Sequence, residues 1–238
     1  MSDTKKGFIG KMAGVMSSPR RTFMQIDEGD LWKGALIVLL ASMLSAWAGM
    51  TYASKMEFNM LAPDQPMFRQ PGGGYSFFHP GVQDSQQNDQ EAIRNRLIPF
   101  IAIGNGVTFT ARWLVSFLLV LFAAKILVGK GSSKRMLAMI GFAYLPMLAQ
   151  QVIRLVDALM ITPIELAAHV TSMLAPTTLF GKVLNQAMII FTVFGFLTLI
   201  LTSYAVSVNY ETTTRRALAV TLLAHVVYII LRIYVPII

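Results

Sequence analysis

The chain has 238 residues, 55% of them hydrophobic and only 13% charged, with a formal net charge of +8. Charged residues make up about a quarter of an ordinary soluble domain, so this composition excludes one and points to a polytopic membrane protein with its few charges clustered between apolar runs. The basic surplus sits at the ends of those runs and not in a stripe with interleaved aromatics, which fits orientation against anionic lipid and argues against nucleic acid.

Residues 1–33 form a basic amphipathic amino-terminal segment. Within it, residues 1–18 predict an interfacial helix: Phe8, Ile9, Met12, Val15 and Met16 follow helical spacing, with Lys5, Lys6 and Lys11 off that face. Pro19 ends the pattern, and Pro19-Arg20-Arg21-Thr22-Phe23 leads towards the bilayer. No small-residue cleavage site precedes the first apolar run, so that run is expected to stay as an anchor.

Gly34–Ala53 carries no charge and is long enough, at 1.5 Å rise per residue, to cross about 30 Å of hydrocarbon. Ala41, Ser45 and Gly49 give it a small-residue stripe suited to close packing within one bundle. Ser54–Arg96 is rich in Pro, Gly, Gln and Asp and keeps neither hydrophobic period, so it reads as a long mobile outer loop, with a helix expected from about Asp89. Phe109–Val128 is the second span. Arg112 lies at one end and Lys125 at the other, both placed to snorkel, and Gly104 and Gly106 mark a break before it.

The third span, Arg135–Leu159, follows a short basic glycine turn, Gly129–Lys134. Tyr144 and Pro146 are its candidate helix kink. Gln150, Gln151, Arg154 and Asp157 make its far end polar, and Arg154 and Asp157, three residues apart, are a candidate pair. Thr162-Pro163-Ile164-Glu165 is a capping-box pattern that predicts a short outer surface helix to about Leu174. Val183–Ser203 and Ala217–Val235 complete the set, with Arg215 and Arg216 in the turn between them and Arg232 near the last interface.

These elements make an all-α, polytopic integral membrane bundle of five transmembrane helices (about 34–53, 109–128, 135–159, 183–203 and 217–235), with an amino-terminal interfacial helix and a short outer surface helix. If the amino terminus is cytoplasmic, Lys130, Lys134, Arg135, Arg215 and Arg216 join the basic amino-terminal segment on one side, and the long loop lies outside. The positive-inside rule favours that orientation, in a cell (plasma or inner) membrane, with the carboxyl terminus outside.

Chemistry is sparse. The absence of cysteine removes disulfides, thiolate metal sites, thiol nucleophiles and redox motifs together. Gly129-Lys130-Gly131-Ser132 fails as a phosphate loop: Ala124 stands where the first glycine belongs, and Gly131 follows the lysine in place of serine or threonine. His79, His169 and His225 lack metal-ligand spacing, and no serine-nucleophile or zinc-protease motif occurs. No catalytic residue, cofactor or metal is expected.

The pattern resembles the Yip-one family of membrane proteins, named for interaction with Ypt/Rab GTPases. The likeness is carried by Pro19-Arg20-Arg21-Thr22-Phe23, Gly129-Lys130-Gly131-Ser132, Tyr144-Leu145-Pro146 and Arg215-Arg216-Ala217, in that order among the spans. The resemblance implies five helices with a cytoplasmic amino terminus. Eukaryotic relatives bind small GTPases in vesicle traffic and carry an Asp-Leu-Tyr-Gly-Pro type motif; the nearest text here is Asp30-Leu31-Trp32-Lys33-Gly34, which resembles a prokaryotic-type member. A small GTPase therefore enters as a partner by family analogy alone.

The function expected is that of a non-enzymatic scaffold or membrane-organising protein, working through anionic lipids or a membrane or cytosolic protein partner. The basic turn (Lys130, Lys134, Arg135, Arg215, Arg216) is its candidate contact. The alternative is a small-solute or ion transporter with a polar path along Gln150, Gln151, Arg154 and Asp157.

Overall fold

The structure is a computed structural model that describes residues 7–55, 80–162 and 192–234, with side chains from residue 96 onward in the second stretch. Every regular element among them is helical. In chain order these are α1 (Phe8–Ser17), α2 (Pro19–Met24), a single 3-10 turn (Glu28–Asp30), α3 (Leu31–Lys55), α4 (Pro80–Leu127), α5 (Ser133–Ala143), α6 (Leu145–Met160), α7 (Val193–Asn209) and α8 (Thr214–Tyr234). Four helical stretches are long and apolar enough to cross a membrane: Glu28–Lys55, Arg96–Leu127, Ser133–Met160 and Thr214–Arg232. The described part of α7 is apolar but shorter. The exposed leucines, valines and isoleucines that ring the bundle, among them Leu39, Ile103, Leu118, Ile153 and Leu223, are the surface a lipid solvent requires.

Helix α3 is the hub, packed against α4, α5 and α6, while α8 lies against α4 and α7. Glycines set the spacing. A Cβ on Gly141 would sit 2.5 Å from the Gly34 backbone, and one on Gly34 would sit 2.6 Å from the Ala138 carbonyl, so α3 and α5 touch backbone to backbone. Further along α3, Gly49 receives the Asn105 side chain of α4, and Gly106 of α4 rests on the Ser42 carbonyl. Ser42 and Thr110 share a 2.8 Å hydrogen bond across the same crossing. Ala41, Ser45 and Gly49 are all buried, so the small-residue stripe is used inside the chain.

Several expected boundaries move. Residues 80–88, expected in the outer loop, are helical, because α4 starts at Pro80, ahead of the helix start expected near Asp89. Proline suits a first helical turn, and the Gln, Glu, Ala and Arg residues after Gly81 are good helix formers. Gly104 and Gly106 interrupt nothing. The apolar stretch therefore begins at Arg96, and Arg112 lies within it instead of at its end. Residues 56–79, the expected surface helix at 162–174 beyond Thr162, and the first part of the fourth expected span lie outside the described residues.

A methyl group separates the two kinds of glycine. Gly141→Ala forces overpacking at the α3–α5 crossing, worth about 1–3 kcal/mol, against a helix-propensity gain of at most about 1 kcal/mol. It should lower stability. Gly104→Ala meets nothing within 4 Å and should raise it by up to about 1 kcal/mol. Thermal unfolding in detergent reads both signs, and equal shifts would remove the close crossing.

Candidate functional site

The amino-terminal elements close one end of the bundle as a cap. Asp30 is buried and accepts from both Lys11 and Lys33, the latter at 2.6 Å, and from the Asp27 backbone at 3.2 Å. Lys11, expected on the solvated side of α1, is itself buried. The helix turns its Lys11–Gly14–Val15 face inward because that face offers both a core side chain and a partner for Asp30. Breaking such a buried pair by removing one member typically costs about 3–5 kcal/mol. Phe8 stacks on Trp32 and meets Phe142 edge-on, which fixes α1 over the start of α3 and over α5.

The basic turn divides into two kinds of residue. Arg135 donates to the carbonyls of Ile26 (2.9 Å), Met24 (3.3 Å) and Phe23 (3.5 Å), satisfying the carbonyl end of α2. It is a fastener of the cap. Lys130, Lys134, Arg215 and Arg216 are exposed at the same end. The glycines between them have structural reasons. Gly129 adopts φ +122°, open to glycine, and a Cβ on Gly131 would sit 2.7 Å from the Tyr210 ring. Ser132 caps α5 by accepting from the Arg135 amide and donates to Glu28, while Asn209 donates to the Ser132 carbonyl.

The third expected span breaks at Tyr144, whose amide is shared between the Ile140 and Gly141 carbonyls at 3.1 and 3.3 Å. Pro146 falls in the first turn of α6, where its missing N–H leaves nothing unpaired. Tyr144 and Ser116 line a cavity of about 180 Å³ between α3, α4, α6, α7 and α8. Gln150, Gln151 and Arg154 line it too, joined by Arg112, Arg232, His225 and Tyr228. The Nδ1 of His225 lies 2.9 Å from the Thr221 carbonyl, which makes Nδ1 the protonated nitrogen.

Asp157 is not among the lining residues. It accepts a hydrogen bond from the Tyr52 hydroxyl, which also lies 3.3 Å from the Arg154 carbonyl. Lys55 donates to the carbonyls of Leu159 (2.8 Å) and Ile161 (2.9 Å), so the ends of α3 and α6 are tied together. Asp157 thus serves α3, and Arg154 faces the cavity.

A model of the Yip1 domain matches residues 13–235, nearly the whole chain. The chain belongs to the Yip1 family. No curated protein and no solved structure matches it. The family match begins within α1, after Phe8 and Lys11, and covers the rest of the cap, the basic turn, the break at Tyr144 and the cavity. The segment Asp30-Leu31-Trp32-Lys33-Gly34 is where the cap of this Yip1 chain is fastened: Asp30 holds two lysines, Trp32 stacks on Phe8, and Gly34 meets Gly141.

Sequence reasoning took Arg112 and Arg232 as separate snorkelling residues and missed that they line one cavity with Arg154. The signal was available. Arg112, Arg154 and Arg232 fall towards the same end of their helices once chain direction alternates.

Tyr52→Phe removes a hydrogen bond to a carboxylate, worth about 1.5–3 kcal/mol, and should lower the unfolding temperature. Arg154→Gln should leave it unchanged or raise it. The reverse order would restore an Arg154–Asp157 pair as the bond that holds this end of α6.

Proposed function

We propose that this Yip1-family protein is a non-enzymatic membrane-organising protein that works through its capped end, held in the cytoplasm. The observation that carries the proposal is the built cap. With α1, α2 and the 3-10 turn fastened by Asp30 and Arg135, the free cations Lys130, Lys134, Arg215 and Arg216 stand at the same end as the exposed apolar side chains Ile9, Met16, Met24 and Trp32. Basic residues with interleaved apolar ones are what an anionic leaflet attracts and takes up. A rigid cap presents them without an ordering cost at the moment of contact. The positive-inside bias supports the orientation, and family membership supports a protein partner on the same face, a small GTPase among the candidates.

A chain without cysteine allows the orientation to be read directly. In intact cells, a membrane-impermeant maleimide should label Met160→Cys, at an exposed position at the far end of α6, and spare Lys130→Cys until the membrane is opened. The opposite pattern would invert the topology and with it the proposed contact face.

For the contact itself, proteoliposomes with the cap outward should capture vesicles containing phosphatidylserine and ignore neutral ones. Each basic residue near such a surface contributes about 1 kcal/mol, so glutamine at positions 130, 134, 215 and 216 together should reduce capture by at least about tenfold. Capture that is insensitive to this substitution and to salt would dismiss the leaflet-contact reading.

The cavity favours a second reading, a path for a small anion, since it reaches Gln150, Gln151 and Arg154. Anion flux in proteoliposomes that disappears in Arg154→Gln would support it.

A further inference from the structure

Helix α2 lies against α7, and a second pocket, of about 420 Å³, opens between them at the capped end. Small-ligand sites commonly enclose about 300–1,000 Å³. Arg20 of α2, Arg135 of α5, Ser207 of α7 and Glu211 just beyond α7 give the pocket its polar lining, and Met24 and Val208 give it an apolar wall. Arg135 spends Nε and Nη2 on the carbonyls of Ile26, Met24 and Phe23, and the two N–H groups of Nη1 are left over. Arg20 and Glu211 are exposed, and neither side chain has a hydrogen-bond or ion-pair partner among the described residues.

The backbone at Glu211 is an independent observation. Helix α7 ends in a Schellman-type turn, with the Thr212 amide bonded to the Ser207 carbonyl at 3.0 Å. The turn places Glu211 at φ +49°. Glycine ordinarily fills that position, because a side chain is strained there. Among the described residues Glu211 is the one residue other than glycine with a positive φ. A carboxylate kept in a strained conformation beside a pocket points to a use for that carboxylate.

Depth selects the ligand. Arg135 lies just inside the span that begins at Ser133, and Glu211 just before the one that begins at Thr214. The pocket is therefore level with the lipid headgroups of the leaflet on the capped side.

We propose that this pocket binds a phosphate ester bearing a primary ammonium, the headgroup chemistry of phosphatidylethanolamine, with Arg20 and Arg135 on the phosphate and Glu211 on the ammonium. Arginine forks match phosphate oxygens, and a carboxylate accepts the N–H groups of an ammonium. A choline headgroup has no N–H to donate. A glycerol headgroup has no cation for Glu211 and leaves it opposed to the phosphate. The headgroup recognised has no net charge, so the site depends neither on the anionic-leaflet contact proposed above nor on which side of the membrane the cap occupies.

Native mass spectrometry of the full chain, delipidated in nonionic detergent, tests the proposal with phosphatidylethanolamine, phosphatidylcholine and phosphatidylglycerol of the same acyl chains. Phosphatidylethanolamine should be retained over the other two. Arg20→Gln and Glu211→Gln should each weaken its binding about three- to fivefold, the scale of a solvent-exposed charge pair. Soluble phosphoethanolamine, read by thermal unfolding against phosphocholine, presents the same chemistry without the lipid. A shift specific to it, without lipid preference, assigns the soluble ester; lipid preference without a shift assigns the phospholipid.

Glu211→Gly separates lost recognition from lost folding. Glycine relieves the positive φ, so without lipid this variant should melt at or above the unsubstituted protein and still lose the preference. Neither lipid preference nor a phosphoethanolamine shift, or an unchanged preference in Arg20→Gln and Glu211→Gly, overturns the proposal. Glutamine at positions 130, 134, 215 and 216 should leave the preference unchanged, so this site and the leaflet contact fail separately.

Discussion

The backbone contact between Gly34 and Gly141 is the constraint on which the rest depends. Lipid offers no hydrophobic drive for helices to associate, so close packing of small residues has to supply the attraction. Here it is concentrated on one helix. Gly34 brings α5 onto the start of α3, and Gly49 and Gly106 bring α4 onto its second half. The first crossing places Phe142 where Phe8 and α1 can cover it, and the cap follows. The second draws α4 along α3 and sets Arg112 facing the middle of the bundle. The cavity opens beside that second crossing, with Ser45 and Asn105 in its lining, where α6 and α8 bring larger side chains.

Charge is sorted along the same axis. At the capped end Asp30 is committed to Lys11 and Lys33, and Glu28 to Ser132. At the far end Asp157 is committed to Tyr52. These carboxylates work as fasteners between segments. The basic residues fall in two sets: Lys130, Lys134, Arg215 and Arg216 are exposed at the capped end, and Arg112, Arg154 and Arg232 line the cavity. The first set sits where cations are inexpensive to place, the second where an arginine needs partners.

What the sequence made legible follows from the strength of each signal. Apolar runs separated by charges revealed a helical membrane bundle, because hydrocarbon leaves few alternatives to helices. The spacing test on Gly129-Lys130-Gly131-Ser132 removed a phosphate loop, and the glycines prove to serve a positive φ and the approach of Tyr210. The helix was expected from about Asp89; its first turns, from Pro80, were illegible because they lack any apolar period, and propensity alone supports them. Starting the second span at Phe109, after two glycines, put Arg112 at its end, whereas the apolar stretch starts at Arg96. A snorkelling arginine invites no search for neighbours, so its place in the cavity lining was not seen. Arg135 was legible as basic but not as a fastener, because its partners are main-chain carbonyls more than a hundred positions away in sequence.

The two faces are joined by one piece of chain. From the Ser132 cap, α5 runs from the basic turn along α3 and ends at Tyr144, whose side chain lines the cavity; α6 then carries Gln150, Gln151 and Arg154 past it. The break at Tyr144 sets the direction of α6 independently of α5. The crossing at Gly34 therefore holds α5 rigidly against the cap, while α6 is fixed by other means, the bonds of Tyr52 and Lys55 at its far end. The fold thus joins α5 to the cap and α6 to the far end of α3 through separate sets of contacts.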